Sequence, residues 1–428
     1  MMQAWFPEAK FGIFLHWGIY SVKGVTESWS FFNGELPYEE YMGQLEGFTA
    51  EDYDPEAWAD LFQRAGATYA ILTTKHHDGV ALWDTALSDL NVAKKTPAGR
   101  DLIGPFVEAT RKRGMKVGLY FSHLDWSEPT HASLRVNGVY GDPKKDASRH
   151  NSPPDGVEDE ATWERFLAFH RGQLRELCER YKPDILWFDG DWEREAHRWR
   201  WPELRDQLQE WCPGVIVNSR MGGHGDYDTP EQGVPLVAPE GAWEFCVTLN
   251  DSWGYQAGDE SHKSSRQLVR MLAETVGMGG NLLLGIGPYA DGTLQPTQVE
   301  RLEAIGGWMS RNREAVYGTV AGLPCGHHYG PSTLSEDRRT LYLVLLDPPQ
   351  DEVGVKGLLN GVKSVRAVGS GQELPFRMVG GAPWNNVPGV LWIEVPSEAC
   401  DPLATVLAVE LEEPLKLYRG SGHAIQNN

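Results

Sequence analysis

The sequence predicts a (β/α) barrel of the TIM type followed by a C-terminal antiparallel β-sandwich. Through the first three-quarters of the 428 residues, short apolar runs of strand length alternate with amphipathic stretches of helical length, which is typical of parallel α/β folds. Beyond that region, alternation of apolar and polar residues takes over and no convincing helix follows. We therefore expect a barrel domain over residues 1–320 and a β-sandwich domain over residues 321–428.

Seven strands are recognisable in the barrel part, one fewer than in a regular TIM barrel, so we expect an irregular barrel. The predicted strands span residues 10–18, 69–77, 116–123, 185–188, 215–220, 243–249 and 281–287. Helices are predicted over residues 54–65, 102–113, 163–181, 201–211, 264–276 and 297–317. The first of these has the clearest limits, because Asp54 suits the N-cap, Pro55 the first helical position and Gly66 the C-terminal end.

Two further segments complete the predicted architecture. Residues 125–160 are rich in Pro, Gly, Asp and Ser and are predicted to form a long loop, and loops of that length are usually functional. In the C-terminal domain, strands are predicted over residues 341–346, 362–368, 390–395 and 405–411.

Composition argues against several classes of protein. The formal net charge of −21 argues against binding to nucleic acid or to an anionic membrane surface. No apolar run approaches the roughly 18 residues of a membrane span. The five cysteines are scattered, in no CxxC pattern, and are expected to be reduced. The first ten residues show no targeting pattern, so we expect a cytoplasmic protein, and a homo-oligomer remains open.

The stretch Asp184–Trp192 has the sequence of a buried parallel strand that ends at a site. Its apolar run, residues 185–188, breaks at once into Asp189, a glycine and Asp191. Alternation along the strand places Trp187 and Asp189 on one face. An indole beside a carboxylate suits a sugar, because sugar rings stack on indole while carboxylates act on the glycosidic bond. The alternative is a strand that ends in a solvated turn, with both aspartates capping the next element.

Polar and aromatic residues stand at the carboxyl end of each of the first five predicted strands, the edge where barrel sites lie. They are His16, His76, His77, Tyr120, Trp187, Asp189 and Arg220. Because random barrel sequence would not place such residues so regularly, we interpret this edge as a functional site.

We expect neither a metal nor an organic cofactor at this edge. Adjacent His76 and His77 would point in opposite directions along a continuing strand, and no His-x-His pair follows the first strand, so hydrogen-bonding roles are favoured. Residues 285–290 superficially match a dinucleotide loop. However, Pro288 and the turn at residues 291–292 stand where the fingerprint requires a helix to begin.

Eight short motifs resemble those of glycoside hydrolase family 29, the α-L-fucosidases. They are residues 11–18 (FGIFLHWG), 75–79 (KHHDG), 118–122 (GLYFS), 186–190 (LWFDG), 218–220 (NSR), 243–245 (WEF), 252–255 (SWGY) and 279–284 (GGNLLL). They occur in the family's order across about residues 4–320, and a β-sandwich follows as in the family. Together these motifs are highly specific.

The resemblance implies a retaining α-L-fucosidase that acts on a fucosylated oligosaccharide or glycoconjugate. Asp189 matches the nucleophile, and Glu231 resembles the acid/base residue of bacterial members. Glu244 competes with Glu231 for that role, although its place inside an apolar strand favours a structural one. The substrate-binding positions implied are His16, Trp29, His76, His77, Tyr120, Trp187, Arg220 and Trp253.

One position departs from the family pattern. In some members a carboxylate directly precedes the tryptophan matched by Trp29, whereas here Ser28 does, with Glu27 one position earlier. The resemblance therefore does not assign a contact to that edge of the sugar.

The chemistry of these residues agrees with the resemblance. An ionised Asp189 can attack the anomeric carbon while a protonated Glu231 protonates the leaving oxygen. Arg220 at a neighbouring strand end can keep Asp189 ionised. Three alternatives stay open: a retaining glycosidase for a related sugar such as a galactoside, a non-catalytic carbohydrate-binding protein, and a metal-dependent hydrolase using His16, His76 and His77.

Overall fold

The computed structural model describes residues 2–131, 159–350, 352–382, 384 and 386–420. The predicted loop over residues 125–160 therefore lies outside the described residues except at its two ends.

The N-terminal part is built on a curled parallel sheet of seven strands. Its order across the sheet is β5-β4-β3-β2-β1-β7-β6, and every neighbouring pair is parallel. The strands are β1 (Phe11–Leu15), β2 (Tyr69–Lys75), β3 (Lys116–Ser122), β4 (Ile185–Asp189), β5 (Ile216–Val217), β6 (Glu244–Thr248) and β7 (Asn281–Ile286). All seven strands predicted from the apolar runs are present.

Helices connect these strands and cover the sheet. Within the described residues they are α1 (Trp29–Phe32), α2 (Tyr38–Met42), α3 (Pro55–Ala65), α4 (Val92–Lys95), α5 (Ile103–Lys112), α6 (Glu160–Tyr181), α7 (Ala196–Trp199), α8 (Trp201–Trp211), α9 (Ser265–Gly277) and α10 (Pro296–Asn312). Short 3₁₀ turns occur at Ile19–Ser21, Gly43–Gly47, Asp191–Glu193, Arg313–Ala315 and Ser397–Ala399. None of the described helices has the length and apolarity needed to cross a membrane.

The limits of α3 follow the predicted signals. The Asp54 carboxylate accepts hydrogen bonds from the backbone N–H groups of Glu56 and Ala57, each at 3.0 Å. Gly66 ends the helix at a φ of 96°, a conformation that glycine adopts without steric cost. Both ends of this helix are thus set by local chemistry.

Besides β1, which ends at Leu15 instead of residue 18, two predicted strands end two or three residues earlier than expected. Strand β2 ends at Lys75, because a turn follows in which Gly79 N–H donates to the His76 carbonyl at 3.1 Å. Strand β5 ends at Val217, because the Asn218 side chain takes over the pairing with β4. Its amide accepts from Phe188 N–H and donates to the Phe188 carbonyl, each at 2.9 Å. Both corrections affect residues that the site uses.

The segment at residues 226–232 lies between the two edge strands of the parallel sheet. On the β5 side, Asp226 N–H donates to the Val217 carbonyl at 2.8 Å. On the β6 side, isolated β-bridges join Asp228 to Trp243 and Glu231 to Cys246. The segment thus hydrogen-bonds to both edges without forming a regular strand.

The C-terminal part contains two antiparallel sheets. Their strands are β8 (Thr319–Ala321), β9 (Ser332–Ser335), β10 (Thr340–Leu345), β11 (Glu352–Val355), β12 (Val362–Ala367), β13 (Phe376–Val379), β14 (Val390–Glu394) and β15 (Thr405–Leu411). The sheet orders are β12-β15-β10-β9-β8 and β11-β14-β13. The four predicted strands are present. Strands β8, β9, β11 and β13 were not predicted, because segments of three or four residues show too little alternation.

Both faces of the five-stranded sheet are buried at its central strands β10 and β15. Leu341 and Leu343 of β10 pack in a cluster with residues of the three-stranded sheet, whereas Tyr342 and Val344 pack against the core of the parallel sheet. The Trp308 indole of α10 donates to the Ala404 carbonyl at 2.7 Å across this junction. Because side chains alternate between the two faces of a strand, one face of β10 packs against the parallel sheet and the opposite face packs against the three-stranded sheet.

Candidate active site

Asp189 ends β4 at the carboxyl edge of the parallel sheet, with its side chain 14% exposed. Its Oδ1 accepts from Arg220 Nη1 at 2.6 Å, and its Oδ2 accepts from the Tyr120 hydroxyl at 3.0 Å. Burial alone would raise the pKa of this carboxyl, but the charge of Arg220 and these hydrogen bonds hold the pKa below its ordinary value. Asp189 is therefore ionised at neutral pH.

The Arg220 guanidinium joins Asp189 to Glu231. While Nη1 binds Asp189, Nη2 pairs with Glu231 Oε2. Burial by itself would lower the pKa of Arg220, but the two carboxylates raise it above its ordinary value. The Glu231 side chain is 35% exposed, more than that of Asp189, so a group on a bound substrate can reach it. One cation thus brings both predicted carboxylates to the same place.

The His77 side chain presents a hydrogen-bond acceptor to the site. The Ser122 hydroxyl donates its proton to the Leu124 carbonyl at 2.7 Å, so Ser122 Oγ must accept from His77 Nδ1–H at 2.6 Å. Burial lowers the pKa of His77 to about 4, so the ring is neutral and Nε2 carries a lone pair. This Nε2 is 3.7 Å from Asp189 Oδ2 and has no hydrogen-bond partner among the described residues. A hydroxyl placed between them could donate to either atom.

His16 and His76 lie beside His77. The rings of His76 and His77 are 4.4 Å apart, and those of His16 and His76 are 6.1 Å apart. Burial lowers the pKa of His16 to about 3 and that of His76 well below its usual range, so both rings are neutral. Because β2 has already ended, the adjacent histidines are not forced to opposite faces.

Aromatic rings surround the carboxylates. Tyr120 stacks on Trp187 at 5.7 Å, and the Arg220 guanidinium lies 4.7 Å from the Trp187 ring centroid. The Trp253 ring lies 4.9 Å from His16. The Trp29 ring lies 5.3 Å from His77, edge to face. All ten predicted site residues are therefore linked through direct contacts around Asp189.

Glu244 lies inside the parallel sheet and away from solvent. Its side chain is fully buried, with Oε1 accepting from the Trp187 indole at 2.9 Å and Oε2 from the Tyr69 hydroxyl at 2.6 Å. Burial raises the pKa of this carboxyl to about 7. Both carboxylate oxygens thus accept hydrogen bonds from the protein, one of them from the Trp187 indole.

Ser28 and Glu27 have separate contacts. The Ser28 hydroxyl hydrogen-bonds with His76 Nδ1, and the Glu27 carboxylate accepts from the backbone N–H of Gly254, next to Trp253. Burial raises the pKa of Glu27 to about 7. Both side chains are buried and act on residues that line the site.

Sequence reasoning missed three residues that support the site. Trp192 stacks on Trp29 at 6.2 Å, Phe14 packs 4.8 Å from Trp187, and Ser122 orients His77. Trp192 lies three residues after Asp189 in the sequence, and this proximity was the available signal. Phe14 and Ser122 lie within two of the family motifs, but their residue types are ordinary for strands and gave no sign of a contact with the site.

The described residues contain no group of three or more His, Cys, Asp or Glu side chains placed to hold a metal ion. All five cysteines are free.

A parallel α/β sheet that presents paired carboxylates and aromatic rings at its carboxyl edge is typical of the glycoside hydrolases. Comparison with known proteins narrows this class. A family model described as Alpha-L-fucosidase matches residues 1–314. Two curated relatives are the tissue α-L-fucosidases of Bos taurus, 35% identical over 343 residues, and of Homo sapiens, 34% identical over 345 residues. Each match covers 74% of this chain and 69% of the relative.

Two solved structures of fucosidases are also similar to this chain. α-L-Fucosidase isoenzyme 1 from Paenibacillus thiaminolyticus superposes with a TM-score of 0.83 at 34% identity, covering 96% of this chain and 98% of the other. The Thermotoga maritima α-fucosidase in complex with a mechanism-based inhibitor superposes with a TM-score of 0.77 at 32% identity, covering 95% and 96%.

The chain belongs to the α-L-fucosidase family, glycoside hydrolase family 29. Its activity is the hydrolysis of α-L-fucosyl linkages, so the family and the enzymatic activity predicted from the sequence are confirmed. The family acts on fucosylated glycans.

Proposed function

We propose that the chain is a retaining α-L-fucosidase in which Asp189 is the nucleophile and Glu231 the acid/base residue. The observation that carries this proposal is the Arg220 guanidinium, which binds both carboxylates at once. Retaining glycosidases need two carboxyl groups only about 5–5.5 Å apart, and a shared guanidinium favours such proximity.

The reaction proceeds in two displacements. In the first, Glu231 must be protonated. An Asp189 carboxylate oxygen bonds to the anomeric carbon of fucose, the glycosidic C–O bond breaks, and Glu231 gives its proton to the leaving oxygen. In the second, Glu231 takes a proton from water as the water oxygen bonds to that carbon. In the same step the bond between that carbon and Asp189 breaks, and Asp189 leaves as a carboxylate. The net configuration at the anomeric carbon is retained.

The remaining predicted residues bind the sugar. The His77 Nε2 lone pair accepts from a sugar hydroxyl beside Asp189, and His16, His76 and Tyr120 offer further hydrogen-bonding groups. Trp29, Trp187 and Trp253 supply ring surface, and a tryptophan face suits the methyl group that distinguishes fucose from galactose. The hydrogen bond between Ser28 and His76 Nδ1 supports the edge where some family members have a carboxylate.

Glu231 fits the acid/base role better than Glu244. An acid/base residue must reach the leaving group and then a water molecule. The Glu231 side chain is partly exposed, whereas Glu244 is fully buried with both oxygens hydrogen-bonded to Trp187 and Tyr69.

We further propose that the parallel sheet closes as a barrel. The segment at residues 226–232 occupies the eighth position, since it hydrogen-bonds to both edge strands. The two C-terminal sheets form the predicted sandwich, because side chains from both pack in one buried cluster.

Stereochemistry tests the mechanism. NMR of the sugar first released from nitrophenyl α-L-fucoside should show α-L-fucose before mutarotation, and initial β-L-fucose would rule out the double displacement.

Asp189→Ala should lower turnover by several orders of magnitude. Azide should restore part of the lost turnover, with a fucosyl azide as the product. Wild-type enzyme should release nitrophenol far more slowly from nitrophenyl β-D-galactoside than from nitrophenyl α-L-fucoside. Equal rates on the two substrates would contradict specificity for fucose.

A further inference from the structure

Two buried histidines stand behind Arg220, and the proposed mechanism leaves them without a role. His123 directly follows β3, and His170 lies on α6, and both are fully buried. Their rings stack 5.2 Å apart, and His123 Nδ1 lies 3.0 Å from His170 Nε2. The outer ends of the pair meet Arg171 and the backbone of Arg220.

The groups at the two ends fix where each proton lies. The Arg171 guanidinium can only donate, so His170 Nδ1, 3.1 Å from Arg171 Nη1, accepts. The Arg220 carbonyl can only accept, so His123 Nε2, at 3.1 Å, donates. His170 Nε2–H must then donate to His123 Nδ1, because each neutral ring carries one proton.

Both rings are neutral in this arrangement. Burial lowers the pKa of His123 to about 3 and that of His170 well below its usual range. Every polar atom of the pair has a partner of the correct kind, whereas the opposite tautomers would place donor against donor at Arg171 and lone pair against lone pair at the Arg220 carbonyl. A buried network satisfied in only one way holds its members in a single arrangement.

His123 also contacts the strand that carries the proposed nucleophile. Its backbone N–H donates to the Asp189 carbonyl at 2.7 Å, and its ring stacks on Phe188 at 4.5 Å. One residue therefore binds the backbone of Asp189 and, through its side chain, the backbone of Arg220.

We propose that Arg171, His170 and His123 form a positioning relay that fixes the Arg220 backbone, so that its guanidinium aligns Asp189 with Glu231. Arg220 lies in a short turn after β5. Among the described residues, no group other than the His123 side chain donates a hydrogen bond to the Arg220 carbonyl. Small displacements of a catalytic group cost about 10²-fold in rate. The relay residues act through Arg220 and touch no substrate.

Kinetics of His123 variants test the relay. His123→Phe keeps a ring against Phe188 but removes the donor to the Arg220 carbonyl, so kcat should fall about 10²-fold with a smaller change in KM. His123→Gln places an amide N–H near the position of Nε2 and should recover most of that loss. Phe166→Leu is the control, because it loosens the packing against the His170 ring and removes none of the hydrogen-bonding groups of the relay. It should lower Tm and leave kcat unchanged.

Variants at Arg171, the end of the relay away from Arg220, provide a second test if His123→Phe does not fold. Arg171→Met removes the donor that fixes the His170 tautomer and should lower kcat, while Arg171→Lys should retain more activity. A folded His123→Phe or Arg171→Met enzyme with wild-type kcat would overturn the proposal. The proposal would also be overturned if kcat of Phe166→Leu fell along with its Tm, because loosened packing alone would then explain the loss of activity.

The tautomers can be measured directly. This inference rests on the proposed roles of Asp189, Glu231 and Arg220, but histidine ¹⁵N chemical shifts do not depend on those roles. In the wild-type enzyme, His123 and His170 should each show a protonated Nε2 and an unprotonated Nδ1, assigned by the signals lost in the His123→Gln and His170→Gln variants. An Nδ1–H tautomer at either residue would refute the relay even if the carboxylate assignments hold. The expected tautomers with unchanged kinetics in every relay variant would refute its positioning role.

Discussion

Arg220 is the residue at which the two carboxylates of the site meet. Its two terminal nitrogens bind Asp189 and Glu231, and its guanidinium lies over the Trp187 ring. A guanidinium suits this position better than an ammonium, because it is planar and donates in two directions at once. The same cation keeps the pKa of Asp189 low, so the proposed nucleophile is ionised at neutral pH.

Replacing Glu231 should affect substrates according to their leaving groups. Glu231→Ala should lower kcat/KM on natural fucosides about 10²–10⁴-fold, because their leaving oxygens need a proton. Nitrophenyl and dinitrophenyl fucosides should lose far less. The measurement is kcat/KM against leaving-group pKa for wild type and for variants at Glu231 and Glu244. A steep leaving-group dependence in Glu244→Ala, with none in Glu231→Ala, would exchange the two assignments.

Glu244 should make stability depend on pH. Burial raises its folded-state pKa to about 7, above an unfolded value near 4.5. The stability that this shift contributes is therefore fully present below pH 4.5 and is lost as pH rises through 7. Glu244→Gln keeps an acceptor for Trp187 and removes the titration. Urea unfolding should show this variant gaining stability relative to wild type between pH 5 and pH 8, and a constant difference would contradict the account.

At the residue scale, the sequence predicted which side chains would meet but not how they are supported. Asp189, His77 and Arg220 were found because strand ends share one edge of a parallel sheet. The roles of the ten site residues stay predictions. Supporting residues such as Ser122 and His123 could not be found, because their partners, Leu124 excepted, come from other elements of the chain. Only the three-dimensional contacts show which atom of each histidine carries a proton.

At the scale of elements, the segment at residues 226–232 holds Glu231 in the site. It has no apolar run, so sequence periodicity gave no sign that it pairs with β5 and β6. The regular strands and the main helices could be predicted because apolar periodicity and caps are local. The short strands β8, β9, β11 and β13 could not, since their pairing depends on neighbours distant in sequence.

Asp226 should anchor this segment. Its carboxylate accepts from the Val217 N–H at 2.9 Å and pairs with Arg205 at 2.6 Å, with its side chain 9% exposed. Asp226→Ala should cost about 1–3 kcal/mol of stability and should also lower kcat, because Glu231 is five residues further along the chain. Thermal unfolding and kinetics are the measurements. Asp228→Ala, at an exposed position in the same segment, is the control and should change neither. Equal effects of the two substitutions would show that Asp226 is not a specific anchor.

At the scale of the whole molecule, the central strands β10 and β15 of the five-stranded sheet are buried on both faces. One face completes the core of the parallel sheet, and the opposite face packs on the three-stranded sheet. None of the ten site residues comes from these C-terminal sheets, whose β-strands begin at Thr319. We therefore expect the C-terminal sheets to contribute stability and to leave the chemistry to the N-terminal part.

Trp308 tests that division of roles. Its indole N–H bonds the Ala404 carbonyl at 2.7 Å, and the side chain is 1% exposed. Trp308→Phe leaves that carbonyl unpaired and should cost about 1–3 kcal/mol of stability while kcat stays near the wild-type value. Trp384→Phe, at a position 79% exposed, is the matched control and should leave Tm unchanged. A large fall in kcat without a fall in Tm would contradict the expected division.

The central claim is that the Asp189 carboxylate bonds to the sugar. The most direct test is to trap that bond with 2-deoxy-2-fluoro-α-L-fucosyl fluoride, whose fluorine slows hydrolysis of a fucosyl-enzyme, and to map the modified peptide by mass spectrometry. We predict a single modification on the peptide that contains Asp189, absent from Asp189→Ala. A modification on Glu231 or Glu244, or an unmodified enzyme that still turns over the reagent, would contradict the account.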